Sequence, residues 1–136
     1  MQAALAEDDA GGRIRWEGPL DPAKTLGRMK ESAIHVLPSV NEPFGMTVIE
    51  AMTVGLPVVV LHDCGLAPTV LGAGGEVCGE SVEELSDAIG ALLRDSERRE
   101  RSGANGRAYV RRNFGMREVA SRLLRIYSDA IGGELP

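Results

Sequence analysis

The chain has 136 residues and a mass of 14.5 kDa, room for one domain with one core. Hydrophobic residues make up 43% and charged residues 26%, a globular balance that excludes disorder over most of the length. The formal net charge of −5 is unevenly spread, five Lys or Arg against fourteen acids over residues 1–93 and ten Arg against six acids over 94–136, yet aromatics at 4% and the lack of any nucleic-acid fold signature argue against nucleic acid as the partner of that basic tail.

Taken in chain order, residues 2–7 read as the last turns of a helix, closed by the acidic, glycine-containing turn 8–12. Residues 14–17, Ile-Arg-Trp-Glu, alternate and predict a short strand ended by Gly18 and Pro19. Asp21 is a candidate N-cap with Pro22 at the first helical position, opening a helix to about Ser32. Residues 33–37 predict a buried strand. The apolar run 46–54 predicts a helix stopped by Gly55, and 56–61 a second buried strand. Strand, glycine turn, helix and strand form a βαβ unit.

Beyond His62, the connection 63–75 holds one short helical stretch at 67–71, and Glu76–Cys78 predicts a brief strand. Ser81 and Glu84 form a capping box that opens a helix to about Arg94. A helix over 96–112 is tolerable despite Gly103 and Gly106. The last helix, Met116–Ile131, carries a stripe of Val119, Leu123, Leu124, Tyr127 and Ile131 expected to pack on the sheet. The expectation is one α/β domain over 1–136, a Rossmann-like parallel sheet with flanking helices and a helical tail.

No apolar run reaches the ~20 residues that span a bilayer. The first nine residues place acids where a signal peptide needs bases. The chain is therefore expected to be cytoplasmic. Cys64 and Cys78 have no Cys-x-x-Cys spacing and no His/Cys cluster beside them, so two reduced, half-buried thiols are expected. His35 and His62 lack metal-like companions. The arginines from Arg94 to Arg125 read first as a solvated helix face with some Glu pairs, and second as a peripheral contact with an anionic membrane, at its inner face.

The residues richest in chemistry lie between the two βαβ strands. Glu42 stands in the loop where an open α/β sheet binds ligands. Gly45 lets backbone approach backbone or phosphate, and the helix start at Met46 and Thr47 offers unpaired N–H groups and a positive dipole end to an anion. Glu50 is the only charged residue in the run 46–54. A carboxylate there can take two hydrogen bonds from a vicinal diol such as ribose, or it pairs with an arginine or sits on an exposed edge.

The run Leu37-Pro-Ser-x-x-Glu42-Pro-Phe-Gly-x-x-x-x-Glu50-Ala-Met-x-x-Gly55-x-Pro57-Val-Val resembles the signature of the retaining, nucleotide-sugar-dependent group 1 glycosyltransferases (family four), twin-Rossmann enzymes of the B type. The likeness extends over roughly residues 12–130. It implies that Glu42 contacts donor-sugar hydroxyls and is the nearest thing to a catalytic carboxylate, with Phe44 of the same loop also a substrate-binding residue. It further implies that the amides of Gly45, Met46 and Thr47 hold the sugar-phosphate, that Glu50 binds ribose, and that backbone near Pro19 and Leu20 faces the base. The donor would be a nucleotide-sugar and the acceptor a sugar or lipid hydroxyl. The chemistry needs no bound metal and no cofactor.

The chain departs from this family in three ways. It is expected to be without two strands and an Arg…Lys pair that precede residue 1 in the family, and without the acceptor domain. Where the family has Asp-x-Gly-Gly-x-x-Glu, it has Asp63-Cys-Gly65-Leu-Ala-Pro-Thr69. The missing strands would be the central pair of the sheet, leaving the 34–37 strand with an open edge. That edge is expected to be covered by residues 14–17, by another copy, or by a companion chain. The isolated chain is expected to be weak or inactive as a catalyst. A non-catalytic regulatory or assembly module with a vestigial nucleotide-sugar cleft is the alternative reading.

Overall fold

A computed structural model of the chain describes residues 13–132. The elements in chain order are α1 (Pro22–Glu31), β1 (His35–Leu37), α2 (Met46–Thr53), β2 (Val58–Leu61), α3 (Ala67–Gly72), β3 (Glu76–Cys78), α4 (Val82–Arg94), α5 (Ser96–Asn113) and α6 (Met116–Ile131). The expected helix over 2–7 and turn over 8–12 lie outside the described residues.

The strands form one parallel sheet in the order β1-β2-β3, with His35 opposite Val58 and Val60 opposite Val77. Four consecutive apolar residues in β2 are all buried, as a central parallel strand requires. Val58 and Val60 point into a core with Val48, Ala51 and Met52 of α2, Ala67 and Val70 of α3, and Val110 of α5. Val59 and Leu61 alternate to the other face, which α4 covers with the fully buried Leu92.

Local signals set the helix ends. Asp21 accepts the Lys24 N–H at 2.9 Å, and Pro22 follows at the first helical position. At Ser81 the capping box closes differently from its usual form. The Ser81 hydroxyl accepts the Glu84 N–H at 3.2 Å and itself donates to the Glu84 carboxylate at 2.8 Å. The Arg99 guanidinium donates to the Leu92 and Leu93 carbonyls at 2.7 and 2.8 Å, satisfying the end of α4. Arg98 pairs with Glu76 at 2.6 Å, and Arg122 with Glu118 at 3.1 Å. Much of the basic tail is thus spent on helix ends and local pairs.

Gly103 and Gly106 are contact residues rather than merely tolerated ones. A Cβ at Gly103 would lie 2.0 Å from the Gly55 carbonyl oxygen, and one at Gly106 would meet Met52 at 3.5 Å. The two glycines let α5 close down on α2 and its exit turn.

Three expectations fail. Residues 14–17 form no strand. Ile14 and Trp16 are 51% and 49% exposed, and Glu17 pairs instead with Arg15 and Arg28. Alternation marks a strand only where a neighbour is free to pair, and this segment joins no sheet edge among the described residues. The β1 strand is half-buried rather than buried, because β2 pairs it on one side only. Finally, α6 packs on α5 and not on the sheet, and none of its residues is buried. Both faces of β2 are already taken, so its apolar stripe faces solvent.

Candidate functional site

In a parallel sheet the carboxyl ends of β1 and β2 share one edge, where the segments 38–45 and 62–66 emerge side by side. The first segment enters α2 through Gly45. Its φ of 78° and the Leu37 side chain, which a Cβ would meet at 2.9 Å, leave room for glycine alone. No side chain caps α2. The N–H groups of Met46 and Thr47 in its first turn therefore have no helical acceptor, and both residues are exposed.

Glu42 is half-buried and folds onto its own loop. Its Oε1 accepts the Gly45 N–H at 2.9 Å and the Phe44 N–H at 3.2 Å. Of the three amides expected to face an anion, Gly45 is thus engaged by the chain's own carboxylate, while those of Met46 and Thr47 have no acceptor among the described residues. The other Glu42 oxygen has no partner among the described residues. The Phe44 side chain is largely exposed.

Glu50, one turn into α2, is half-buried and forms no ion pair or hydrogen bond through its carboxylate among the described residues. It faces a hollow of about 190 Å³ between α1 and α2, shared with Leu20, Pro22, Thr25 and Leu26. Leu20 and Glu50, thirty positions apart, are therefore brought together. Pro19, one residue earlier, is exposed and does not line this hollow. Glu42 does not line it either.

Sequence reasoning did not single out the second segment's hold on the first. Asn41, at φ 54°, gives its N–H to the Asp63 carboxylate. The Gly65 N–H donates to the Glu42 carbonyl at 2.8 Å. Cys64 Sγ lies 3.9 Å from the Phe44 carbonyl. An asparagine in a turn, free to enter the left-handed region, was the one signal available.

Other groups lie apart. His35 sits in β1 with its Nε2 buried and unpartnered, and burial holds its pKa below 6.5. Burial also pushes the Cys78 thiol up, and both cysteines are free. A hollow of about 290 Å³ lined by Met29, Val54, Pro57 and Arg99 lies at the opposite, amino end of β2. Among the described residues no cluster of His, Cys, Asp or Glu could hold a metal ion, and no helix is long and apolar enough to cross a membrane.

Comparison with known proteins gives this geometry a family. Residues 4–109 match the family model described as "Glycosyl transferases group 1". The chain is 35% identical over 126 residues to the D-inositol 3-phosphate glycosyltransferase of Corynebacterium glutamicum (strain R), covering 90% of this chain and 29% of that one. It is 38% identical over 127 residues to the phosphatidyl-myo-inositol mannosyltransferase of Mycobacterium leprae (strain TN), covering 87% and 33%. Among solved structures, the sucrose-phosphate synthase of Thermosynechococcus elongatus superposes with a TM-score of 0.84 at 28% identity, over 96% of this chain and 33% of that one. The chain spans about a third of the length of the relatives it matches. It belongs to the group 1 glycosyltransferases.

Proposed function

We propose that this chain is the donor-binding part of an enzyme that moves a sugar from a nucleotide-sugar to a sugar or lipid hydroxyl, with retention at the anomeric carbon. One observation carries the reading. Glu50 is a half-buried carboxylate with no partner among the described residues, facing a hollow beside Leu20 and one turn from the uncapped start of α2. Even a partly buried charge left unpaired is disfavoured, and a ribose diol would supply the two hydrogen bonds it lacks.

The remaining roles are assigned from the family resemblance. Backbone at Leu20, in the hollow, faces the base, and that of Pro19 meets it from outside the hollow. The open N–H groups of Met46 and Thr47, with the helix dipole, receive the diphosphate. Glu42 keeps one oxygen on its loop and offers the other to a donor-sugar hydroxyl. In the transfer, the bond from the anomeric carbon to the diphosphate oxygen breaks and its electron pair leaves with the diphosphate. The acceptor oxygen bonds to the anomeric carbon on the same face, and its proton passes to a departing phosphate oxygen. The amides of α2 act on the charge that grows on the leaving group, so they favour the transition state over the ground state. No metal or cofactor is invoked. On this reading the enzyme works in the cytoplasm, at the inner membrane face where its acceptor is a lipid. The chain alone is a donor binder and a poor catalyst.

The test is an NMR titration of the chain with UDP-glucose, GDP-mannose and ADP-glucose. One of them should shift the amides of Leu20, Met46, Thr47 and Glu50. Glu50→Gln should weaken that donor by about tenfold or more, as expected for loss of a charge-assisted hydrogen bond. Shifts from none of the three, or a Glu50→Gln chain that binds as well as the original, would overturn the reading.

A further inference from the structure

We propose that Asp63 and Gly65, on the turn between β2 and α3, are positioning residues that hold Glu42 in its aim. This rests on the donor-binding reading of Glu42. Besides the Cys64 contact with Phe44, three contacts join residues 41–43 to Asp63 and Gly65 across about twenty positions of sequence. The Asp63 carboxylate accepts the Asn41 N–H. The Gly65 N–H donates to the Glu42 carbonyl at 2.8 Å. Gly65 also approaches Pro43 so closely that a Cβ would lie 2.0 Å from the Pro43 carbonyl oxygen. The 40–41 and 42–43 peptide units, which bracket the link between Asn41 and Glu42, are thus held by the second turn. The Glu42 side chain is fixed in turn by the Phe44 and Gly45 amides.

The chemistry of Asp63 points to orientation rather than stability. Its Oδ1 is buried and has no hydrogen-bond partner among the described residues. A carboxylate that gains one hydrogen bond and leaves a buried oxygen unpaired adds little to folding. What it does add is a fixed peptide at Asn41, whose φ of 54° turns the chain into the Glu42 loop. Gly65 serves the same end sterically. Any side chain there would push the Pro43 carbonyl away and carry Glu42 with it. The two loops therefore form one clasp, and Glu42 is aimed from β2 rather than from its own strand.

Hydrogen exchange on the whole chain, followed by NMR, separates a clasp from a merely structural turn. In Asp63→Ala the Phe44 and Gly45 amides should exchange about tenfold faster, while those of β2 and α4 keep their original rates. Gly65→Ala should do the same. Asp63→Asn keeps an oxygen for the Asn41 N–H and should restore slow exchange. With the nucleotide-sugar bound most tightly by the unaltered chain, Asp63→Ala should raise Kd about tenfold and Asp63→Asn far less. Unchanged Phe44 and Gly45 exchange in both Asp63→Ala and Gly65→Ala would overturn the clasp. So would loss of protection spread evenly through β2 and α4, the mark of a purely structural role. If the amides loosen as expected but no nucleotide-sugar binds the unaltered chain, the clasp stands and the donor reading falls. If the donor binds and Asp63→Ala leaves Kd unchanged, the positioning role falls and the donor reading stands.

Discussion

Gly103 sits against Gly55 so tightly that the Cβ of an alanine at 103 would come 2.0 Å from the Gly55 carbonyl oxygen and 3.0 Å from its carbonyl carbon. Backbone meets backbone here, so no rotamer change can relieve the clash. Gly103→Ala is expected to lower stability by about 2 kcal/mol or more, in spite of alanine's better helix propensity. Gly27, inside α1, has nothing within 4 Å of its Cβ position. Gly27→Ala should therefore raise stability by up to about 1 kcal/mol. Urea denaturation of the two variants checks both signs, and destabilisation by Gly27→Ala would contradict the packing described.

These glycines show what a sequence can and cannot say. A glycine inside a helical pattern reads as a weakness, because its propensity is local and its contact partner at Gly55 is 48 positions away. The Asp21 cap, the β2 strand and the Ser81 start were legible because their causes lie within four residues. The stripe on α6 was equally legible as a stripe. Periodicity reports that a face is apolar but not which surface covers it. At the candidate site, Glu42 and Glu50 stood out by spacing, whereas the hold of Asp63 and Gly65 on the Glu42 loop is a contact between loops and leaves no periodic trace.

Capping offers a second check. Asp95 accepts the Arg98 N–H at 2.8 Å at the start of α5, and Ser81 does the same for Glu84 at the start of α4. Asp95→Ala and Ser81→Ala are each expected to cost about 1 kcal/mol. The caps are separate and share no partner, so the double variant should lose roughly the sum. A double loss well short of that sum would show that α4 and α5 unfold with unequal coupling to the sheet.

Stability should fall on mild acidification through His35. Burial holds its folded pKa below the ordinary 6.5, so below that pH the unfolded chain takes up a proton that the folded chain refuses. Unfolding is then favoured as pH drops from about 7 toward the depressed folded value, and the His35 contribution is absent above 7. His35→Leu should flatten the melting temperature between pH 7 and 5. A variant that keeps the full acid slope would assign that slope to other groups.

The exposed face of α6 predicts an unusual tolerance. Leu123 and Leu124 are 45% and 56% exposed, and no residue of the helix is buried. The double change Leu123→Ser and Leu124→Ser should shift the stability of the rest of the chain by no more than about 0.5 kcal/mol, apart from the small helix-propensity loss in α6 itself. A cooperative loss of several kcal/mol in β2 and α2 would mean that α6 carries part of the core after all.

The last prediction concerns the outer edge of β1. The His35 N–H goes to the Pro57 carbonyl, and peptide groups alternate sides along a parallel strand, so those of Val36 face away from β2. No strand pairs with that edge among the described residues, and an apolar strand with such an edge invites a further strand. Where no companion chain supplies one, the isolated chain should draw a second copy and elute above 14.5 kDa at tens of micromolar. Val36→Pro removes the outward donor without touching the β2 ladder, and proline is tolerated at such an edge. That variant should run as a folded monomer. His35→Pro would delete the bond to Pro57 and should unfold the sheet instead. A chain that is already monomeric at high concentration would show that the edge does not recruit its own kind, leaving a companion strand as the only occupant still to be tested.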